Sequence, residues 1–112
     1  MLNLVYVGFG GFLGASLRYL ISLVLHKSIF ATLLANILGC FLIGIVLTKV
    51  ENQPLKLFLA TGFLGGLTTF STFSFETFRL LENGMFFKAT AYSLGSLLMG
   101  FLALFVGMSF IK

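Results

Sequence analysis

The chain has 112 residues, of which 59% are hydrophobic and 9% charged, with a formal net charge of +4 and a mean hydropathy of +1.12. A soluble domain carries about 25% charge, so this chain has too little polar surface to cover itself in water, and a bilayer must be its solvent. Four spanning helices of roughly 20 residues each nearly exhaust the length, which excludes an extramembrane catalytic domain, and the basic residues stand singly near segment ends rather than as a nucleic-acid patch.

The first apolar segment runs from about Leu4 to Leu25 and ends at His26-Lys27. Met1 to Gly8 carries no basic start, and the apolar stretch continues too far for a cleavable leader, so the segment is expected to be retained. The second runs from about Phe30 to Leu47 and closes at Thr48-Lys49. The third starts at Pro54, whose missing N–H costs nothing in a first turn, and continues to about Leu81. After Glu82-Asn83-Gly84, the fourth runs from about Phe86 to Phe110, a length of about 37 Å that crosses a bilayer with tilt. The expectation is a single-domain, all-α membrane protein with transmembrane helices at about 4–25, 30–47, 54–81 and 86–110. Glycines inside the segments (Gly8, Gly10, Gly11 and Gly14 in the first, Gly39 and Gly44 in the second, Gly95, Gly100 and Gly107 in the fourth) suit close helix packing through small faces. The single Cys40 lies mid-segment as a small packing residue, and His26 belongs to a solvated loop.

With both termini on one side, that side receives Lys49, Lys56 and Lys112, and the other receives Arg18, Lys27, Arg79 and Lys88. Three against four hardly selects an orientation. A chain that inserts both ways can pair antiparallel with its own copy. Four helices also enclose a pore poorly, whereas the eight of a dimer suffice.

The centre of the third segment, Gly65 to Ser74, holds two glycines and five hydroxyl residues at mid-membrane depth. Consecutive glycines and β-branched threonines disfavour regular helix, which points to a break near 65–70. An unwound stretch must be buried in protein or line a wet cavity, and broken helices at the midplane are a recurrent ion-site device. The competing reading is a continuous helix whose Ser and Thr bond back to their own carbonyls. Phe70 and Phe73, at i and i+3, share one face. They are either packing residues among fifteen phenylalanines or ring edges turned to an anion.

Other polar residues fall inside the segments: Thr32 and Asn36 in the second, Tyr92, Ser93 and Ser96 in the fourth, Arg18 and Tyr19 in the first. Such residues usually face a bundle interior. Asn36, Tyr92 and Ser96 either replace part of an anion's hydration or bond between helices. Arg18 either pairs with Glu76, caps a helix end, or draws anions into a vestibule. The sequence holds no Cys/His cluster, phosphate loop or nucleophile triad, so an enzyme is not expected.

At these residues the sequence resembles the Fluc family, also called CrcB, the small fluoride channels of microbes. The resemblance rests on Gly10-Gly11-Phe12-Leu13-Gly14-Ala15 with Arg18-Tyr19, on Asn36 with Gly39, on Gly65-Gly66-Leu67-Thr68-Thr69-Phe70-Ser71-Thr72-Phe73-Ser74 followed by Glu76, and on Gly95-Ser96. It covers essentially the whole chain. It implies an antiparallel homodimer in the cell's inner (plasma) membrane, passing fluoride passively through two pores. It also implies Phe70, Phe73, Asn36, Thr69, Thr72, Tyr92 and Ser96 as pore or near-pore residues and Arg18 and Thr32 as vestibule residues. The backbone carbonyls of Gly65 and Thr68 would be ligands of a structural sodium ion (Na+) at the dimer interface. Two departures stand out. Tyr92 occupies a position that is His in some members, and Gly100 replaces a second serine, which shortens the polar track at one end. Two other classes remain to be weighed. A small multidrug-type antiporter needs a membrane carboxylate, typically in segment one, and segment one has none. A structural membrane subunit would have no use for the polar interruption.

Overall fold

The structure, a computed structural model, describes residues 1–109; the expected end of the fourth segment at Phe110 and the topology charge of Lys112 lie outside the described residues. Four helical stretches among the described residues are long and apolar enough to cross a membrane: Leu2–Val24, Ile29–Lys49, Gln53–Glu82 and Phe86–Ser109. The first two and the last are continuous helices, here α1 (Leu2–Val24), α2 (Ile29–Lys49) and α6 (Phe86–Ser109). The third is composite. It joins α3 (Gln53–Lys56), a π-helical stretch (Leu57–Leu64), the single turn α4 (Gly65–Leu67) and α5 (Ser71–Glu82). The described part of the chain extends 47 Å along its longest axis, more than the roughly 30 Å of a hydrocarbon core.

The connections are tight. His26 and Lys27 both take left-handed backbone (φ 59° and 53°) to turn α1 into α2, and Gly84 does so (φ 75°) between α5 and α6. Asn52 starts the third span: its Oδ1 accepts the Leu55 N–H at 2.9 Å, and Pro54 sits in the turn that follows.

Few large side chains are interior. Leu67 and Ala35 are fully buried and Leu64 nearly so, and they form one cluster with Leu17, Ile21 and Phe63 against it. Packing relies instead on backbone approaching backbone, as expected where burial from water drives nothing. α1 lies along the π-helical stretch and α4 so closely that a Cβ on Gly14 would run into the Phe63 carbonyl, and one on Gly66 would come within 2.7 Å of the Gly11 carbonyl. Large apolar side chains are exposed along the spans, from Phe9 and Phe12 on α1 to Phe101 and Phe105 on α6, which suits hydrocarbon surroundings.

Candidate functional site

Helical conformation stops after Leu67. Thr68 is extended (φ −87°, ψ 154°), and Phe70, at φ −91° and ψ −33°, leads into α5. The polar groups set free at this point are met by neighbours. The Thr68 N–H and Oγ1 both donate to the Leu64 carbonyl, at 3.1 and 3.0 Å. The Thr69 N–H donates to Asn36 Oδ1 at 2.8 Å, and Asn36 Nδ2 donates back to the Thr69 carbonyl at 3.1 Å. Thr69 Oγ1 accepts the Thr72 N–H at 3.2 Å. Arg18 Nε donates to the Gly66 carbonyl at 3.1 Å.

Two consequences follow. In an unbroken helix the Thr69 N–H would close on the Gly65 carbonyl and the Thr72 N–H on the Thr68 carbonyl. Both donors are engaged elsewhere, so those two carbonyls lose their helical partners. Second, among the roles the sequence left open to Arg18, its Nε takes a helix end, while Glu76 is served by others. Thr32 Oγ1 donates to Glu76 Oε2 at 3.0 Å and the Tyr92 hydroxyl to Oε1 at 2.7 Å.

The interruption borders two concavities. One, of about 310 Å³, lies between α2, the third span and α6. It brings together Asn36, Gly65, Thr68, Thr69, Phe70, Phe73 and Ser96, with Gly39, Cys40 and Gly100 beside them. The other, also about 310 Å³, gathers Arg18, Lys27, Thr32, Thr72 and Glu76 at the end nearer the α1–α2 turn. Thr69 borders both, so the two spaces meet at the unwound residue. Full charges stand in the second space, and the first is lined by neutral groups.

Aromatic rings continue the first groove inward. The Phe70 and Phe73 centroids are 5.9 Å apart with planes at 45°, and Phe73 lies 5.2 Å from Tyr92 at 52°. Phe70 is 76% exposed in the single chain. Tyr92 is buried, and it borders neither concavity; it reaches the site through Phe73 and Glu76. The Ser96 Oγ is buried with no hydrogen-bond partner. Buried hydroxyls nearly always find a partner, so this O–H, on a residue that lines the groove, is an exception.

Some of the site escaped sequence reasoning. Gly39 sits where a Cβ would strike the Thr68 side-chain methyl, so α2 grips the interruption with Asn36 and Gly39 together. Their i, i+3 spacing is the signal that places both on one face. Glu76 as the shared acceptor of Thr32 and Tyr92 had no local signal.

The chain matches the family model described as "CrcB-like protein, Camphor Resistance (CrcB)" over residues 5–108. It is 46% identical over 112 residues to a protein of Prosthecochloris aestuarii named fluoride-specific ion channel FluC, covering 92% of this chain and 88% of that one. Proteins of the same name from Clostridium perfringens and Ruminiclostridium cellulolyticum are 51% and 52% identical over 94 residues. Those alignments cover 75% of this chain and 73% and 72% of theirs.

Proposed function

The chain belongs to the CrcB family, and from that premise we propose that it is a fluoride-selective channel, not an enzyme, passing fluoride out of a microbial cell down its gradient. Its setting is the inner (plasma) membrane. The working unit is an antiparallel homodimer with two pores, in which the third span of each copy is broken at mid-membrane. The observation that carries this reading is the groove at Thr68–Phe70. It joins two phenylalanine rings, an unpartnered Ser96 hydroxyl and the Asn36 amide, and no charged side chain lines it.

Fluoride is small and strongly hydrated, so a path for it must offer compact donors in place of water. The Ser96 O–H and the second Nδ2 hydrogen of Asn36 are such donors, and the positive ring edges of Phe70 and Phe73 add weaker attraction. Neutral groups release what they bind, as conduction requires. Arg18 and Lys27, in the adjoining space, are placed to concentrate anions at an entrance. Thr32, Thr72 and Glu76 line that space, while Thr69 stands where it meets the groove.

The dimer is supported by what the single chain leaves open: Gly65, Phe70 and Ser71, at the centre of a bilayer span, are exposed. Sodium fits the same place by its chemistry. Carbonyl oxygens suit hard cations, and the Gly65 and Thr68 carbonyls have lost their helical partners. Contributed by two copies, they would make four oxygen ligands. A bound cation supplies fixed positive charge beside the anion path.

Purified protein in liposomes tests the reading. Fluoride efflux is expected from the wild type. Phe70→Ile and Phe73→Ile are expected to slow it while the dimer persists on crosslinking. Unchanged efflux in both variants contradicts the pore assignment, and crosslinks formed only between parallel chains contradict the antiparallel pairing.

A further inference from the structure

We infer that Asn36 is the positioning residue of the cation site: by engaging both backbone groups of Thr69, it keeps the Gly65 carbonyl free to act as a ligand. The inference rests on the sodium reading above and deepens it.

An unwound residue at mid-membrane must find partners within the protein for its N–H and its C=O. Thr69 finds both in one side chain, at 2.8 Å to Asn36 Oδ1 and 3.1 Å from Asn36 Nδ2. A planar amide is the smallest side chain that offers an acceptor and a donor in this arrangement. Without it, the helical partner of the Thr69 N–H is the Gly65 carbonyl, four residues back, and making that bond would rewind the helix and consume the ligand. Thr69 Oγ1 does the parallel service for Thr68, by taking the Thr72 N–H at 3.2 Å. α2 also seats the interruption sterically: Gly39, on the same face as Asn36, leaves room for the Thr68 methyl. Asn36 lines the groove with Phe70, Phe73 and Ser96 as well. One residue thereby links the anion path to the cation site, and its loss acts on both.

The test separates the two roles. The full chain, purified in detergent, is titrated with sodium against N-methylglucamine at constant ionic strength. Thermal midpoint and sodium retained per chain are read alongside fluoride efflux. Wild type is expected to gain stability saturably with sodium. Asn36→Ala raises the sodium midpoint roughly 10–100-fold, the cost typical of losing a group that orients a metal ligand. The nearly isosteric Asn36→Leu gives the same readout should the alanine variant fail to fold. Asn36→Asp keeps the acceptor for the Thr69 N–H and stays near the wild-type midpoint. Phe73→Ile lowers fluoride flux and keeps the wild-type sodium response. A wild-type sodium midpoint in Asn36→Ala or Asn36→Leu, with flux reduced, makes Asn36 an anion ligand only and overturns the positioning role. A wild-type protein that passes fluoride but neither binds nor responds to sodium overturns the sodium reading, and the positioning role with it.

Discussion

The helix pair α2–α6 carries a groove on each flank, and the two have opposite characters. On one flank, Asn36, Gly39 and Cys40 face Ser96, Leu97 and Gly100 beside the interruption of the third span. On the other, Leu34, Ile37, Leu38 and Phe41 face Met99, Leu102, Ala103 and Val106, and every lining side chain is apolar. The same two helices, in the same bilayer, turn Asn36 and Ser96 to one flank and only apolar side chains to the other. Only the polar flank contains an unwound backbone and an unsatisfied hydroxyl. Polar side chains in a bilayer are costly enough that such sorting reflects use rather than chance. The seam between the flanks is glycine: a Cβ on Gly107 would strike the Phe41 carbonyl, and one on Gly44 would come within 2.6 Å of the Leu104 carbonyl.

Substitutions on the two flanks should therefore differ, and the largest effect belongs to the clasp. Gly39→Ala drives a methyl into the Thr68 methyl and is expected to abolish fluoride efflux. Adding Thr68→Ser removes the opposing methyl and should restore much of it. Failure of that rescue would show that α2 does not seat the interruption in this way. Next comes Phe73→Ile, which removes ring contacts to Phe70 and Tyr92. Efflux should fall by about tenfold, the upper range for an aromatic contact. Ser96→Ala deletes one neutral donor and should lower efflux about fivefold, in keeping with a hydrogen bond near 1 kcal/mol. Leu102→Ile, on the apolar flank, should leave efflux within about twofold. Equal effects of Ser96→Ala and Leu102→Ile would erase the distinction between the flanks.

The two flanks also differ in how far they could be read in advance. Hydropathy placed the four spans, because each is a long apolar run bounded by charge or a turn. The Gly65–Ser74 stretch stood out for its glycines and hydroxyls, and Thr68 within it has extended dihedrals, φ −87° and ψ 154°. The π-helical stretch Leu57–Leu64 had no such mark. Nothing in Leu57-Phe58-Leu59-Ala60-Thr61-Gly62-Phe63-Leu64 separates it from α-helix, because the wider turn goes with close approach to α1 across Gly10, Gly14 and Gly62. Long-range pairings were equally silent. The partner of Arg18 is a carbonyl 48 residues away, and that of Asn36 is a backbone 33 residues away. A sequence displays which residues are polar at depth, but the folded chain decides which of them spend their donors on backbone and which, like Ser96, keep one free.

The most direct measurement traps fluoride and chloride together in liposomes bearing the purified protein and follows both as a permeant cation pathway is opened. Rapid loss of fluoride with chloride retained is the result expected of a compact, neutral groove at Thr68–Phe70. Loss of both halides at similar rates, or of neither, would contradict it.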